Sequence, residues 1–423
     1  MEFHNLLSKS VLDRPLTIAI AGAGGRGGQY ARMNDLLDEP ARITAAADAN
    51  DVRLETLRSE HGVPAEHLYA DWRDLAAQPR LADAVIIATQ DADHLEPTIA
   101  FARLGYDILL EKPMAISEEE CVAIEQASVK YGVSIAVCHV LRYTPYTTKL
   151  VELLRSGVIG DIVSVDHLEP IGFDHFAHSY VRGPWRTTKE AATMLMAKSC
   201  HDIDWLSYVI GRPVERVSSF GGLRHFKAEN QPETAADTCV ACPLTDCEYD
   251  ARKIYQIGRL PFALSKMLGG REPTPELITD ALGESPYGRC VYKCDNDVAD
   301  HQVVNLEYEG GVIAAFTVTA FAMMGGRRTT FYGTHGELFG DSDRIEITDF
   351  RTREKVVHET APVDHSASGG HGGGDLGLMK AFVEALSTGR PELILTDVAE
   401  SLATHRIVFA AERSRTSGTV VAM

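Results

Sequence analysis

The stretch LTIAIAGAGGRGGQYARMNDLL, residues 16–37, constrains the fold more than any other. An apolar, β-rich run ends in Gly22-Ala-Gly24-Gly-Arg26-Gly27, and a helical pattern begins at once. Each glycine then has its own duty: Gly22 permits the tight turn, Gly24 lets a pyrophosphate approach the backbone, and Gly27 lets the helix lie close to the strand. The helix N-terminus adds N–H groups and a positive dipole end. A second strand, ARITAAADAN, ends in Asp48, about twenty residues past the last motif glycine, where a carboxylate can bind adenosine ribose hydroxyls. An acid there favours NAD over NADP. Arg53, shortly beyond, reads as a solvated arginine rather than a 2′-phosphate site.

The strand-then-helix pattern repeats in ADAVIIATQDADHLEPTIAFARLGYDILLEKPMA. Ala84 to Ala88 reads as a buried strand with Thr89, Gln90 and Asp91 at its carboxyl end, where open parallel sheets bind ligands. DILLEKPMA is another strand, ended by Pro113, which cannot donate to the ladder and so fixes the chain beyond Glu111 and Lys112. The expected cofactor contacts are Gly22, Gly24, Arg26, Gly27, Asp48, Thr89, Gln90, His94, Glu111 and Lys112.

Composition narrows the rest. With 423 residues and a prior of roughly 150 per domain, two domains are expected: residues 1–148, and residues 149–423 with C-terminal helices packing back on the body. A formal charge of -19, from 41 basic and 60 acidic residues in no long run of either sign, speaks against nucleic-acid binding and for a small-molecule partner. The opening residues lack a secretory pattern and no segment is apolar enough to span a membrane, so the expected location is the cytoplasm.

The glycine motif, Ala88-Thr89, Glu111-Lys112-Pro113, HVLRYTP and LLRSGVIGDIVSV together resemble the glucose-fructose oxidoreductase, inositol dehydrogenase and rhizopine-catabolism (Gfo/Idh/MocA) family, over nearly the whole chain. The resemblance implies an α/β fold: an N-terminal doubly wound parallel sheet, then an α/β domain on an open, mostly antiparallel sheet that mediates a homodimer or homotetramer. It implies NAD(P) as cofactor, a sugar or cyclitol as substrate, and Lys112 near the reacting carbinol. Beyond Lys149 the strands DIVSVDHLE, VERVSSFGGL, HQVVNLEYEG, GVIAAFTVTAF and RRTTFYGTHGELFG fit that second domain, with Gly310-Gly311 and Gly325-Gly326 as hairpin turns.

MLMAKSCHDIDWL, residues 194–206, carries charges inside an apolar stretch. If it is one helix, Lys198, His201, Asp202 and Trp205 share a face. By the resemblance, His201 matches the histidine that acts as acid/base on the hydroxyl, but the aspartate expected four residues earlier is Ala197. Lys198 or Asp202 then assists His201, or Lys198 simply pairs with Asp202 one turn on. The chemistry needs a base for the hydroxyl proton and a cation for the developing alkoxide, and Lys112, His201 and Lys198 are the candidates for both.

FAHSYVRGPWR offers His178, Tyr180, Arg182, Trp185 and Arg186, and SGGHGGGDLGL offers His371 and Asp375; with Arg142, Tyr143 and Asp202 these are the expected sugar-binding groups. The plainer readings are a solvated loop for the first stretch and a flexible linker for the second. Cys239, Cys242, Cys247 and Cys294 have spacing that suits a structural zinc, with free buried thiols as the alternative, although the CxxxC of Cys290 and Cys294 weakens the match. The leading expectation is an NAD-dependent sugar or cyclitol dehydrogenase. Its rivals are a redox-assisted glycoside hydrolase of the same fold acting on an anionic sugar glycoside, and a non-catalytic dinucleotide sensor.

Overall fold

In the computed structural model, residues 11–257, 259–269, 271–323, 325–360 and 370–423 are described. They belong to two compact units that interleave along the chain: Met1–Ser164, Cys200–Val214 and Thr330–Phe409 in one, and Val165–Ser199, Glu215–Thr329 and Ala410–Met423 in the other.

The first unit is built on six strands, β1 (Thr17–Ala21), β2 (Arg42–Ala47), β3 (Leu68–Tyr69), β4 (Ala84–Ile87), β5 (Asp107–Leu110) and β6 (Ile135–Val137). They lie all parallel in the order β3-β2-β1-β4-β5-β6, the doubly wound arrangement expected. Such a sheet must be covered on both faces, which explains why its strands are apolar without alternation. Ile18 and Ile20 face one core, with Tyr30 and Ala31 of the helix Gly25–Asp35 and Leu378, Met379 and Phe382 of the helix Gly374–Thr388. Ala19 and Ala21 face the other, with Phe101, Cys121, Ile124 and, from the helix Val398–Ser417, Val398 and Leu402. C-terminal helices thus pack on the nucleotide-binding sheet.

A second sheet comprises β7 (Ile162–Pro170), β8 (Val214–Gly222), β9 (His301–Tyr308), β10 (Val312–Thr319), β11 (Arg328–Gly333), β12 (Gly336–Gly340), β13 (Arg344–Asp349), β14 (Lys355–Glu359) and β15 (Val421–Ala422). Its order is β14-β13-β12-β11-β7-β10-β9-β8-β15, and the pairs β9/β10, β12/β13, β13/β14 and β8/β15 are antiparallel. Burial alternates along β9 and β10, as in a sheet with one packed face. Gly310 and Gly311, at φ 82° and 83°, close the β9/β10 hairpin as expected. Gly325-Gly326 does not close one: β7 lies between β10 and β11, so this pair sits in a connection that passes over a strand. No helix among the described residues is long and apolar enough to cross a membrane.

Candidate active site

The glycine loop leaves β1 toward the carboxyl ends of its neighbours. Gly22 has φ 93°, and a Cβ there would stand 2.5 Å from the Ala88 carbonyl oxygen. A Cβ on Gly27 would stand 2.0 Å from the Gly22 carbonyl oxygen, so both positions require glycine. Above Gly24 the nearest atom is the Arg53 Nη1, 3.6 Å from an added Cβ, and no side chain caps the helix that follows. Asp48 accepts hydrogen bonds from the N–H groups of Ala23 and Asn50, both at 2.8 Å. Arg53 lies 3.3 Å from the Asp48 carboxylate, so it is ion-paired while half exposed. Thr89 donates to the Asp93 carbonyl, Gln90 is exposed, and the buried His94 donates from Nδ1 to the Pro113 carbonyl at 2.7 Å. That bond fixes its tautomer and leaves Nε2 as an acceptor.

Arg26, expected from the sequence to contact the cofactor, has its guanidinium engaged within the fold. Its Nε meets Glu111 Oε1 at 2.6 Å, its Nη2 meets Asp375 Oδ1 at 2.6 Å, and it also donates to Gln29 and Tyr30. Glu111 further accepts from the Tyr30 hydroxyl and from the N–H of Lys112. Burial opposes charge on Glu111, yet Arg26 and Lys112 outweigh it and hold the carboxyl below its usual range. Asp375 behaves alike: burial opposes its charge, while His371 and Arg26 keep it ionised. Asp375, expected from the sequence to bind the sugar, is fully buried and bonded to Arg26, Gln29 and His371.

A group of histidines gathers beside Lys112. The His139 ring centroid is 5.8 Å from that of His201 and 5.5 Å from that of His405, and His201 is 5.5 Å from His371. His405 donates from Nδ1 to the Ser401 carbonyl and accepts the Met114 N–H at Nε2, which makes it neutral by construction. Burial is the main cause that depresses His139 to about 4 and His405 to about 3, and the Lys112 ammonium pushes both the same way. His139 and His405 do not stand out in the sequence; the only signal is a histidine at apolar helical spacing in SLATHRIVF, and one in the apolar AVCHVL.

The stretch holding His201 is not one helix. Met194–Ala197 ends at Lys198 (φ -108°, ψ -58°), and a new helix, Cys200–Ile210, carries His201, Asp202, Asp204 and Trp205, all buried. Lys198 therefore leaves the common face and pairs with Glu169 Oε1 at 3.0 Å, with Arg327 3.3 Å from the other oxygen of that carboxylate. Arg142 holds Asp204 through two hydrogen bonds of 2.8 and 2.7 Å and donates to the Leu395 carbonyl at 2.7 Å. Tyr143 bonds Thr396 and accepts from the Leu395 N–H. The polar ends of both residues expected to bind the sugar thus have partners within the fold.

In the second unit FAHSYVRGPWR is neither a solvated loop nor an open rack of ligands. Residues Ala177–Arg182 form a wide, buried helical turn. His178 meets the Tyr255 hydroxyl at 2.8 Å and stacks on Tyr287, and Arg182 donates to the carbonyls of Arg289 and Tyr249. Arg186 pairs with Asp295 and Glu190. Tyr180, 5% exposed, has its ring 6.5 Å from that of His175 and 6.3 Å from that of Trp185, and Phe176 stacks on it at 5.2 Å. His371 and Asp375 lie among the described residues, whereas Ser368 and Gly369 of SGGHGGGDLGL lie outside them.

All eight cysteines are free thiols. Among the described residues no group of three or more His, Cys, Asp or Glu stands as a metal-holding set, so the zinc site of Cys239, Cys242, Cys247 and Cys294 is not assembled. Cys239, Cys242, Cys247 and Cys290 instead line a cavity with Arg182 and Tyr249, and Cys294 donates to the Cys290 carbonyl. Burial is the main cause that raises Cys247, Cys290 and Cys294 above the ordinary thiol value.

A glycine cradle that any Cβ would fill, an uncapped helix N-terminus and a backbone-held Asp48 fit a dinucleotide, and the fold and site together define an NAD-binding oxidoreductase. The chain belongs to the Gfo/Idh/MocA oxidoreductase family: the NAD-binding Rossmann profile matches residues 16–139 and the C-terminal alpha/beta profile residues 151–423. It is 25% identical to Bacillus subtilis (strain 168) YteT over 311 residues, 69% of this chain and 70% of that one. It is 27% identical to the 2,7-anhydro-N-acetylneuraminate hydratase of Escherichia coli (strain K12), over 49% of this chain and 53% of that one. It is also 27% identical to the scyllo-inositol 2-dehydrogenase (NAD(+)) of B. subtilis, over 50% of this chain and 59% of that one. The chain thus spans only about half the length of the latter two. A levoglucosan dehydrogenase solved with NADH and levoglucosan shares the fold at TM-score 0.71 and 18% identity, covering 97% of this chain and 99% of that one.

Proposed function

We propose that the protein oxidises a secondary hydroxyl of a sugar, a sugar derivative or a cyclitol, with Lys112 and His201 at the reacting hydroxyl. The observation that carries this reading is the shared neighbourhood of the two: the Lys112 charge acts on His139, whose ring is 5.8 Å from that of His201. NAD, when bound, supplies the hydride acceptor, and Gly22, Gly24, Gly27, Asp48 and Thr89 are the residues that would hold it. His201 takes the hydroxyl proton, and the Lys112 ammonium stabilises the oxygen as negative charge develops. Glu111, kept ionised by Arg26 and Lys112 against its burial, stands beside Lys112 as a countercharge, and this reading takes His201 as the base.

A second reading, redox-assisted glycoside cleavage, draws on the hydratase relative and on Lys198 and Arg327, both paired to one buried carboxylate in the second unit. Such cations suit an anionic sugar substituent. The reading also includes a cytoplasmic homodimer or homotetramer; the exposed Val303 and Ile313 on β9 and β10 favour association, which light scattering tests.

The deciding experiment incubates purified protein with NAD and a panel of sugars, cyclitols and aryl glycosides, following NADH absorbance and aglycone release together. NADH formation with a free sugar or cyclitol supports the dehydrogenase, and aglycone release at flat NADH supports the cleavage cycle. In either case Lys112→Ala is expected to lose activity by at least about 100-fold with NAD binding intact. Full activity in that variant overturns the assignment of Lys112.

A further inference from the structure

His201 is 4% exposed, so a proton it accepts needs a way out. The residue four positions before it, across the break at Lys198, is Ala197, which carries no carboxylate. The structure brings a carboxylate-held imidazole to His201 from far along the chain. Three successive residues, His371 (φ 56°), Gly372 (φ 61°) and Gly373 (φ 85°), turn through the left-handed region into the helix Gly374–Thr388. A histidine held in that region needs a compensating tie. Its Nδ1 lies 3.1 Å from Asp375 Oδ2, a carboxylate with no exposure.

The start of this helix is fixed against the segment containing His139 and Arg142. A Cβ on Gly374 would stand 2.3 Å from the Val140 carbonyl oxygen, and one on Gly377 2.5 Å from that of Tyr143. So placed, the His371 ring is 5.5 Å from the His201 ring at an interplanar angle of 50°, while its own side chain is 32% exposed. Among the described residues, the groups facing it include Asp375 from the helix Gly374–Thr388, Arg26 and Gln29 through that carboxylate from the helix Gly25–Asp35, and His201 from the helix Cys200–Ile210.

We infer that His371, oriented by Asp375, is the proton relay between the buried His201 and bulk water. This rests on the reading of His201 as the proton acceptor. The substrate proton arrives at one nitrogen of His201, and His201 releases a proton from the other. His371 takes that proton while its Nδ1–H stays on Asp375, then passes it to water at its exposed edge. No electrons move in these steps, and every proton taken up is released. His371 is thus a positioning and relay residue rather than the sugar ligand its glycine-rich setting suggested.

The test uses His371→Asn, because asparagine tolerates the left-handed backbone. With the substrate found above, kcat is expected to fall about tenfold or more, with KM for sugar and NAD little changed and kcat restored by added imidazole. A structural role does not predict that rescue. Unchanged kcat, or a loss that imidazole leaves untouched, overturns the relay. Nitrogen-15 spectra of the ring atoms decide independently of activity: His371→Asn should shift the titration of His201, and an unmoved titration overturns the relay. A His201→Asn variant separates the two ideas, since full activity in it sinks the reading of His201 whatever the coupling shows.

Discussion

Two arginines, one in each unit, are buried to nearly the same degree and are answered in opposite ways. Arg142, 4% exposed, grips Asp204 with two nitrogens and lies 4.8 Å from the Tyr208 ring centroid. Among the described residues Arg182, 1% exposed, reaches only the carbonyls of Arg289 and Tyr249 and the Cys239 sulfur, and its Nη1 has no hydrogen-bond partner. The first arginine meets a full countercharge on the helix that carries His201. The second is solvated by dipoles that tie together loops bearing the cysteines. Charge is thus used as a rigid clamp where orientation of the proposed base matters, and as a hub for irregular backbone where it does not.

The largest effect should come from breaking the clamp. Arg142→Met strands the Asp204 carboxylate, which has no exposure, and should cost about 3–5 kcal/mol in urea unfolding, whereas Arg142→Met with Asp204→Leu should recover most of that. Because Asp204 lies three residues from His201 on one helix, the single variant should lose activity as well. Arg182→Met strands two carbonyls but no charge, so the expected loss is roughly 1–3 kcal/mol. Equal losses at the two sites would break the contrast, showing that backbone solvation of a guanidinium matters as much as a carboxylate.

The same contrast explains which parts were legible in the sequence. Gly22 and Gly27 could be read because their constraints are local: a turn, and a helix lying on the strand just before it. The Arg26–Asp375 pair could not, because it joins residues 349 positions apart and either one alone looks like surface. In the sequence Arg142 and Arg182 read as ligand-binding groups, Arg182 by its cluster of aromatic and bidentate polar neighbours and Arg142 by its place just after the cofactor domain, whereas only the folded chain shows which acceptors surround them. The break at Lys198 left no mark, since neither glycine nor proline stands there and the apolar spacing runs through it. Gly325-Gly326 carried the same signal as Gly310-Gly311, and only the strand order separates a hairpin from a crossing connection.

A smaller effect sharpens the comparison through pH. His139 sits beside the Arg142 clamp, has no exposure, and has no hydrogen-bond partner on either ring nitrogen among the described residues. Its folded value of about 4 lies below the ordinary 6.5, with burial the first cause and Arg142 and Lys112 adding to it. As pH falls below 6.5 the unfolded chain takes up a proton that the folded chain refuses until about 4, so the stability contributed is complete above 6.5 and is lost progressively across that window. His139→Phe keeps a flat ring, breaks no hydrogen bond among the described residues, and removes the titration. It should stay within about 1 kcal/mol of the parent at pH 7.5 and be the more stable of the two near pH 4.5. Parallel curves of stability against pH would mean that His139 is not the neutral buried group its surroundings require, and that the Arg142 clamp is softer than its geometry implies.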